Sequence, residues 1–362
     1  MFNDYQAQRR RKLRRRVTAV LVLLLLLAAG GGYAYMQIAL KPLEAGSSNK
    51  KEVVIPKGTG TAGIGQILQK EGIIRSALIF QYYVKTNTKN GLQAGTYLLS
   101  PAMSVREIAD DLMAGKVYNP IRFKLAIPEG TQLKEIAAAI AKEFKMDEQT
   151  VLAQLNDKAF IQGLQKKYPK LITNEVFAEG VRYPLEGYLW PATYSYHNTS
   201  YTVPEIIAPM LEKTNEYITA HEQEMGARKL TVHQLLTMGS LIEEEASVSA
   251  DRQKIASVFY NRMAQHMMLQ TDPTVLYALG KHKERVLYED LKVNSPYNTY
   301  VVYGLPIGPI ANAGASSLEA AMKPAQTDYL YFLAAPTGEV FFAKTLAEHN
   351  ELKNKYITQK KS

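Results

Sequence analysis

The chain has 362 residues, 46% of them hydrophobic, which is enough to bury more than one core. It contains no cysteine, which excludes disulfide bonds and thiolate metal sites, and its six histidines lack metal-ligand spacing, so we expect no metal or other cofactor. Of the net charge of +9, residues 1–16 carry +6, so the rest of the chain is only mildly basic and a nucleic-acid partner is not expected.

A long apolar segment follows residues 1–16, which we interpret as a cytoplasmic basic tail. Residues 17–40, VTAVLVLLLLLAAGGGYAYMQIAL, would form a helix about 36 Å long, enough to cross a hydrocarbon core of about 30 Å. A cleaved signal peptide is the alternative, but the segment is long for one and no clear cleavage site ends it. Cations before the span place the N-terminus in the cytoplasm, and the remainder of a single-pass cell-membrane protein then lies outside.

The segment after the span predicts a linker and a small module. Residues 41–51 are polar and typical of a linker, and residues 52–123 predict strands and helices in the order βααβ, followed by a further helix. Ser104 and Glu107 have capping-box spacing at the start of that last helix, and Gly115 is its expected stop. The unit resembles a LysM-like module, a small fold known for binding N-acetylated glycans; a structural spacer is the alternative.

One phrase occurs twice in the exterior part. In VVIPKGTGTAGIGQIL (53–68) and in KLAIPEGTQLKEIAAAI (124–140), a short β-type run ends at Ile-Pro, a Gly-Thr turn follows and an apolar-periodic helix begins. Threonine favours the position before a helix, where its side chain accepts a hydrogen bond from the backbone. We therefore expect Thr59 or Thr61, and Thr131, to be helix N-caps.

The rest of the chain predicts an α+β fold. Residues 124–200 mix helix with an aromatic stretch and form a connecting α/β segment, and residues 201–359 form a helix-rich domain that ends in strand, turn, strand and helix. In TDPTVLYALG we expect Asp272 as N-cap and Gly280 as stop. Residues 294–316 are rich in proline and glycine, and such long irregular segments are commonly functional.

Three glutamates end an apolar helix in KLTVHQLLTMGSLIEEEA. On a helical wheel one apolar face is formed by Leu235, Met238, Leu241, Ile242 and Ala246. Glu245 falls inside this face, Glu244 on the polar side and Glu243 at the margin. A carboxylate on an apolar face is costly to ionise, so its pKa should rise, as a general acid requires. A structural ion pair with Arg252 or Arg262 is the alternative.

The stretch IEEEASVSADRQKIASVFYNRM…LQTDPTVLYALG, with YNTY and GLPIGPI beyond it, resembles the YceG/MltG family of membrane-anchored endolytic murein transglycosylases. The likeness runs from about residue 52 to about residue 352, and it implies that residues 201–359 are the catalytic transglycosylase domain. It implies that the second acid of an E-x-E-T/A motif, here Glu245, is catalytic; the acidic Glu244 departs from relatives that have a base there. It also implies cleavage of the MurNAc-β-1,4-GlcNAc bond in nascent peptidoglycan strands with 1,6-anhydro ends, which would terminate the strands. The implied partners are these glycan strands and the cell-wall synthesis machinery.

Other polar residues in the family-like segments carry groups suited to sugar contacts. We expect five substrate-binding residues: Glu243, Gln270, Asp272, Asn298 and Tyr300. The alternative for Gln270, Asn298 and Tyr300 is bracing of the long segment, and that for Asp272 is helix capping. Glu243 could instead orient or repel Glu245, or be solvated. If Asp272 were a second catalytic carboxylate, the enzyme would be a muramidase-type hydrolase of the same bond. A non-catalytic wall-binding scaffold is the further alternative.

Overall fold

The computed structural model of the chain describes residues 2–87, 91–246, 251–280, 283 and 286–358, with the side chains of its first helix described from residue 18 onward. The chain divides into two compact units, Met1–Pro120 and Ile121–Ser362. Both units mix helices with short antiparallel strands, so the predicted α+β class is confirmed.

In its described residues the first unit has two strands and four helices: α1 (Phe2–Leu40), β1 (Lys51–Ile55), α2 (Thr61–Lys70), α3 (Ala77–Asn87), β2 (Gly95–Leu99) and α4 (Val105–Met113). β1 pairs antiparallel with β2, with Val53 opposite Tyr97. Both side chains are buried, together with Phe80 of α3 and Leu112 of α4, in the core of this unit. The predicted βααβ order followed by a helix is therefore present.

In its described residues the second unit contains two antiparallel strand pairs and a larger set of helices. Its strands are β3 (Phe123–Ala126), β4 (Thr193–Tyr196), β5 (Tyr331–Ala334) and β6 (Val340–Ala343). Its α-helices are α5 (Leu133–Phe144), α6 (Glu148–Leu155), α7 (Lys158–Lys167), α8 (Val203–Ala220), α9 (Glu222–Arg228), α10 (Val232–Glu245), α11 (Arg252–Ala264), α12 (Asp272–Leu279), α13 (Ala315–Met322) and α14 (Leu346–Lys353). Short 3-10 helices cover Asn174–Phe177 and Asp290–Lys292, and a π-helical turn covers Asn354–Thr358.

The strand pairs of the chain are antiparallel throughout its described part. β3 pairs with β4 and β5 with β6 in this second unit, and the third pair is β1 with β2 of the first. The hairpin of β5 and β6 followed by α14 is the strand, turn, strand and helix that the sequence predicted at the C-terminal end.

A single hydrophobic core holds the second unit together. Ile136 of α5, Ile207 of α8, Leu235 of α10 and Leu318 of α13 all belong to it. The core therefore runs through both segments that the sequence analysis separated at residue 200, and that boundary does not divide two cores. α10 and α13 approach closely because Gly239 has no side chain: a Cβ there would lie 2.5 Å from Leu318 Cδ2.

Two predicted N-caps are wrong by one residue. The N-cap of α2 is Gly60 and that of α5 is Gln132. The threonine hydroxyls are used elsewhere: Thr59 Oγ1 donates to the carbonyl of Pro56 at 2.8 Å, and Thr131 Oγ1 donates to that of Pro128 at 2.7 Å. In both copies of the repeated phrase the threonine therefore closes the turn that precedes the helix.

Other predicted helix ends are confirmed. Ser104 and Glu107 form a reciprocal capping box at the start of α4. Gly115, after the end of α4, and Gly280, after α12, have φ values of 62° and 65°, in the left-handed region that glycine adopts at low cost.

Candidate active site

The first feature of the site is the position of Glu245 at the end of α10. The helix begins with a capping box between Thr231 and Gln234 and buries the face that the wheel predicted, including Leu241 and Ile242. Glu245 continues this face in the last turn of the helix, and there its side chain reaches the edge of a cavity instead of the core. Residues 247–250, part of the motif quoted above, lie outside the described residues.

The cavity beside Glu245 has a volume of about 510 Å³. It is formed by the end of α10, by α11, by the start of α12 and by β5 and α14 of the C-terminal part. Its polar and aromatic lining residues are Glu245, Arg262, Gln270, Asp272, Tyr300, Tyr331, Phe332, His349 and Lys353. Four residues predicted from the sequence, one catalytic and three substrate-binding, thus lie in one cavity.

The surroundings of Glu245 favour its protonated form. Burial, the negative charge of Asp272 and that of Glu244 raise the pKa of Glu245 to about 8. A carboxyl group with this pKa holds its proton at neutral pH and can give it to a leaving oxygen. Glu245 forms neither of the alternative ion pairs. Arg252 pairs with Glu243 instead, at 3.4 Å, and the side-chain donors of Arg262 bond to oxygens other than those of Glu245.

Asp272 is the second carboxylate of the cavity. It was predicted as the N-cap of α12, but Thr271 occupies that position and Asp272 is the first residue of the helix, followed by Pro273. Its Oδ1 accepts a hydrogen bond of 2.6 Å from the hydroxyl of Tyr300. The carboxylate is thus held at the start of a helix, where negative charge is favoured, and faces the same cavity as Glu245.

Gln270 lies at the edge of the cavity in a strained backbone conformation. Its φ of 55° is in the left-handed region, and its N–H donates to the carbonyl of Thr299 at 3.1 Å. The side chain is exposed, and its Oε1 accepts a hydrogen bond of 3.4 Å from Arg262 Nη1. The side-chain amide therefore remains accessible from the cavity.

Glu243 and Asn298, two of the predicted substrate-binding residues, lie beside the cavity and do not line it. Glu243 Oε2 accepts hydrogen bonds from the N–H of Gly314 at 2.9 Å and from the hydroxyl of Ser317 at 2.8 Å. Asn298 is fully buried, and its Oδ1 accepts from the N–H of Tyr300 at 3.0 Å. Direct contact with a sugar would require these groups to leave their present partners.

Sequence reasoning missed the wall that Arg262, Tyr331 and His349 form. Arg262 donates from Nε to the carbonyl of Leu330 at 2.7 Å and from Nη1 to that of Leu269 at 2.9 Å. Its guanidinium lies over the Tyr331 ring, 5.0 Å from the centroid, and that ring stacks on His349. No local pattern indicates this wall, because it depends on β5 packing beside α11.

Among the residues that the structure describes, no group of three histidine, aspartate or glutamate side chains is placed to hold a metal ion. Two carboxyl groups, those of Glu245 and Asp272, line the cavity. A protonated carboxyl group beside a second carboxylate, in an open cavity lined by aromatic and amide groups, is the arrangement of an acid–base enzyme.

The chain belongs to the YceG-like family, whose pattern it matches over residues 53–355. It is 50% identical over 328 residues to a protein of Bacillus subtilis named endolytic murein transglycosylase, an alignment that covers 91% of each chain. It is also 35% identical over 344 residues to a protein of that name from Streptococcus pneumoniae, with 91% of this chain but only 62% of that relative aligned. The family resemblance noted in the sequence is confirmed.

A solved structure is also similar to the chain. The crystal structure of a YceG-like protein from Listeria monocytogenes superposes with a TM-score of 0.62 at 48% sequence identity. The match covers 85% of this chain and all of that one.

Proposed function

We propose that this chain is an endolytic murein transglycosylase in which Glu245 is the catalytic acid and base. The observation that carries the proposal is the position of Glu245, on the apolar face of α10 and at the edge of a cavity that holds a second carboxylate. The name of the Bacillus subtilis relative, at 50% identity over 91% of both chains, supports peptidoglycan as the substrate.

The proposed reaction cleaves the β-1,4 bond from N-acetylmuramic acid to N-acetylglucosamine without water. Protonated Glu245 gives its proton to the glycosidic oxygen as the bond to the muramoyl C1 breaks. The resulting carboxylate takes the proton of the muramoyl 6-hydroxyl, whose oxygen bonds to C1 and closes a 1,6-anhydro ring. Glu245 ends protonated as it began, so one carboxyl group serves both steps.

Hydrolysis of the same bond is the second candidate, and the position of Asp272 favours it. Asp272 lines the cavity with Glu245 and accepts a hydrogen bond from Tyr300, so it is held where a carboxylate could activate a water molecule. The reaction would then be that of a muramidase, with Glu245 as acid and Asp272 as base. Asp272→Asn should abolish hydrolysis, whereas a transglycosylase should still form 1,6-anhydro ends in this variant, at a reduced rate because the charge of Asp272 helps to raise the pKa of Glu245.

The proposal includes a membrane anchor and a cell-wall setting. Thr18–Leu40 is 23 residues long, has a mean hydropathy of 2.0 and follows the basic residues 1–16, so it supports a single span with a cytoplasmic N-terminus. The catalytic part would then act outside the cell membrane on glycan strands as they emerge, terminating them beside the synthesis machinery. The βααβ order of the first unit supports a LysM-like glycan contact there.

The test compares three forms of the full-length protein on uncrosslinked peptidoglycan strands. Glu245→Gln keeps the size of the side chain but removes the titratable proton, and we expect turnover to fall at least about a hundredfold. Glu244→Gln is the matched control, because this neighbour is exposed and faces away from the cavity lining, and it should remain active at neutral pH. Unchanged turnover in Glu245→Gln, with an intact circular dichroism spectrum, would refute the assignment.

A further inference from the structure

A groove of about 500 Å³ lies within the first unit, between the apolar helix α1 and α3. Most of its lining is apolar, with Gln81 and Lys85 as the polar members: the groove is bounded by Gly32 and Met36 of α1 and by Leu78, Ile79, Gln81, Tyr82 and Lys85 of α3. One wall of the groove thus belongs to the segment that is apolar enough to span a membrane.

The end of α1 is fixed to the first unit by Arg75. Its Nη1 donates to the carbonyl of Pro42 and its Nη2 to that of Leu43, both at 2.7 Å, and Nη1 also approaches the carbonyl of Ile38 at 3.4 Å. A cation at the C-terminal end of a helix is favoured by the helix dipole and by the unpaired carbonyls there. Ala39, in the last turn, is only 1% exposed. Pro42 and Leu43, at the start of the predicted linker, are therefore held by Arg75, and these hydrogen bonds fix the end of α1 to the rest of the first unit.

The groove face of α3 is apolar and open. Leu78 is 74% exposed and Tyr82 is 56% exposed, and their spacing of four residues places them on one face of the helix. Lys85 lies about one turn beyond Tyr82. Leucine, then tyrosine, then lysine along one face is the composition of helices at a membrane interface, where the aromatic ring and the lysine ammonium reach toward the headgroups.

The depth of the groove follows from the numbering along α1. Gly32 lies eight residues before Leu40, about 12 Å along the helix axis, and Met36 lies about 6 Å before it. If Thr18–Leu40 spans the bilayer, as the proposed function holds, these two residues lie within or at the edge of the membrane. The α3 side chains that face them across the groove then lie at the same level.

We infer that Leu78 and Tyr82 insert into the outer leaflet of the membrane beside α1 and that phospholipid fills the groove. The first unit then rests on the bilayer through two adjacent helices instead of being suspended from one. Continuity with the spanning segment favours lipid as the occupant, because the groove is open along α1 itself. A transmembrane helix of another protein is the alternative occupant.

The absence of cysteine from the chain allows a test with single-cysteine variants of the full-length protein. Leu78→Cys, Tyr82→Cys, Leu24→Cys and Val54→Cys would each carry a nitroxide label in phospholipid vesicles that contain no other protein. Leu24 lies inside the apolar segment and is the reference for the bilayer. Val54, on β1, is the matched control, since it is apolar and 59% exposed but does not line the groove. Collision of the label with oxygen, relative to a water-soluble nickel chelate, reports its immersion in lipid.

We expect the oxygen-to-nickel ratio at positions 78 and 82 to be severalfold above that at position 54 and to approach that at position 24. A ratio at position 78 equal to that at position 54 would overturn the inference while leaving the anchor intact. A high oxygen-to-nickel ratio at positions 78 and 82 that occurs only in native membranes, and not in vesicles of pure lipid, would also overturn the inference. It would indicate that the helix of a partner protein fills the groove. A water-accessible label at position 24 would refute the anchor and the inference together. Catalysis is not part of the readout, so these outcomes are independent of Glu245.

Discussion

Tyr300 donates a hydrogen bond of 2.6 Å from its hydroxyl to Oδ1 of Asp272. The contact joins the proline- and glycine-rich segment to the first residue of α12, and Asn298 fixes the segment by accepting a hydrogen bond from the N–H of Tyr300. A buried amide therefore holds the tyrosine, and the tyrosine holds the carboxylate whose charge raises the pKa of Glu245. The irregular segment acts on Glu245 through this chain of contacts.

The hydroxyl of Tyr300 should matter for turnover more than for folding. Tyr300→Phe removes the hydrogen bond that holds Asp272 beside Glu245. Because misplacement of a group in an active site lowers the rate, we expect turnover to fall about tenfold. Tyr303→Phe is the control, since Tyr303 belongs to the same segment and is 70% exposed. Turnover and thermal unfolding of both variants are the measurements. Equal turnover in Tyr300→Phe and the parent protein would contradict the positioning role.

The pH dependence of turnover should have an alkaline limb near the pKa of Glu245, about 8. The proposed reaction starts from the protonated acid, so turnover is full below this pKa and falls about tenfold per pH unit above it. Glu244→Gln removes a negative charge that raises the pKa of Glu245, and the limb should move to lower pH. Profiles of kcat/KM for both proteins measure the shift. Superimposable profiles would mean that Glu245 does not set the limb.

Glu186 should make the fold less stable as pH rises. It is 1% exposed, its Oε1 accepts from the N–H of Leu133 at 2.8 Å, and burial raises its pKa to about 8. Between its ordinary pKa of 4.5 and about 8 the folded chain keeps the proton while the unfolded chain releases it. The free energy of unfolding therefore falls with rising pH, by up to about 1.4 kcal/mol per pH unit for this group.

Glu186→Gln should remove this contribution. Urea unfolding across the neutral range is the measurement, and the variant should lose less stability with rising pH than the parent protein does. The exposed Glu212 provides the control, since Glu212→Gln should leave the slope unchanged. A slope in Glu186→Gln as steep as that of the parent would contradict the burial of a protonated carboxyl group.

Glu243 should stabilise the packing of α10 against α13. Its side chain is 8% exposed and bonds to Gly314 and Ser317, with Arg252 at 3.4 Å. Glu243→Ala leaves these groups without their acceptor, and we expect a loss of about 2–3 kcal/mol in the free energy of unfolding. Chemical denaturation measures the loss. If Glu243→Ala left stability unchanged and raised KM, the result would instead support the substrate contact that the sequence predicted for Glu243.

The sequence predicted the features that depend on neighbours along one helix. The helical wheel predicted that Glu245 follows the buried Leu241 and Ile242, because that relation depends on helical spacing alone. The capping box of Ser104 and Glu107 was predictable for the same reason. Thr237 and Ser240, which precede Glu244, are buried as well, so the wheel alone did not show that Glu245 and not Glu244 lines the cavity. Thr59 and Thr131 were assigned wrongly because a threonine hydroxyl can bond to a turn carbonyl as well as to a helix N-terminus.

Features that depend on distant parts of the chain could not be predicted from the sequence. Glu243 meets Gly314 and Ser317, more than 70 residues away, only after α10 and α13 pack. Asn298 was expected at the substrate because its amide is polar, yet its partners are backbone groups of Leu291, Val293 and Tyr300. Arg262 bonds to backbone carbonyls, and its place in the cavity wall requires β5.

The most direct test of Glu245 as both acid and base is mass spectrometry of the new glycan ends formed in water labelled with the heavy oxygen isotope. We predict 1,6-anhydro ends without the heavy isotope from the full-length protein, and no new ends from Glu245→Gln. Reducing ends that carry heavy oxygen would contradict transglycosylation. They would assign the activation of water to Asp272, which lines the same cavity.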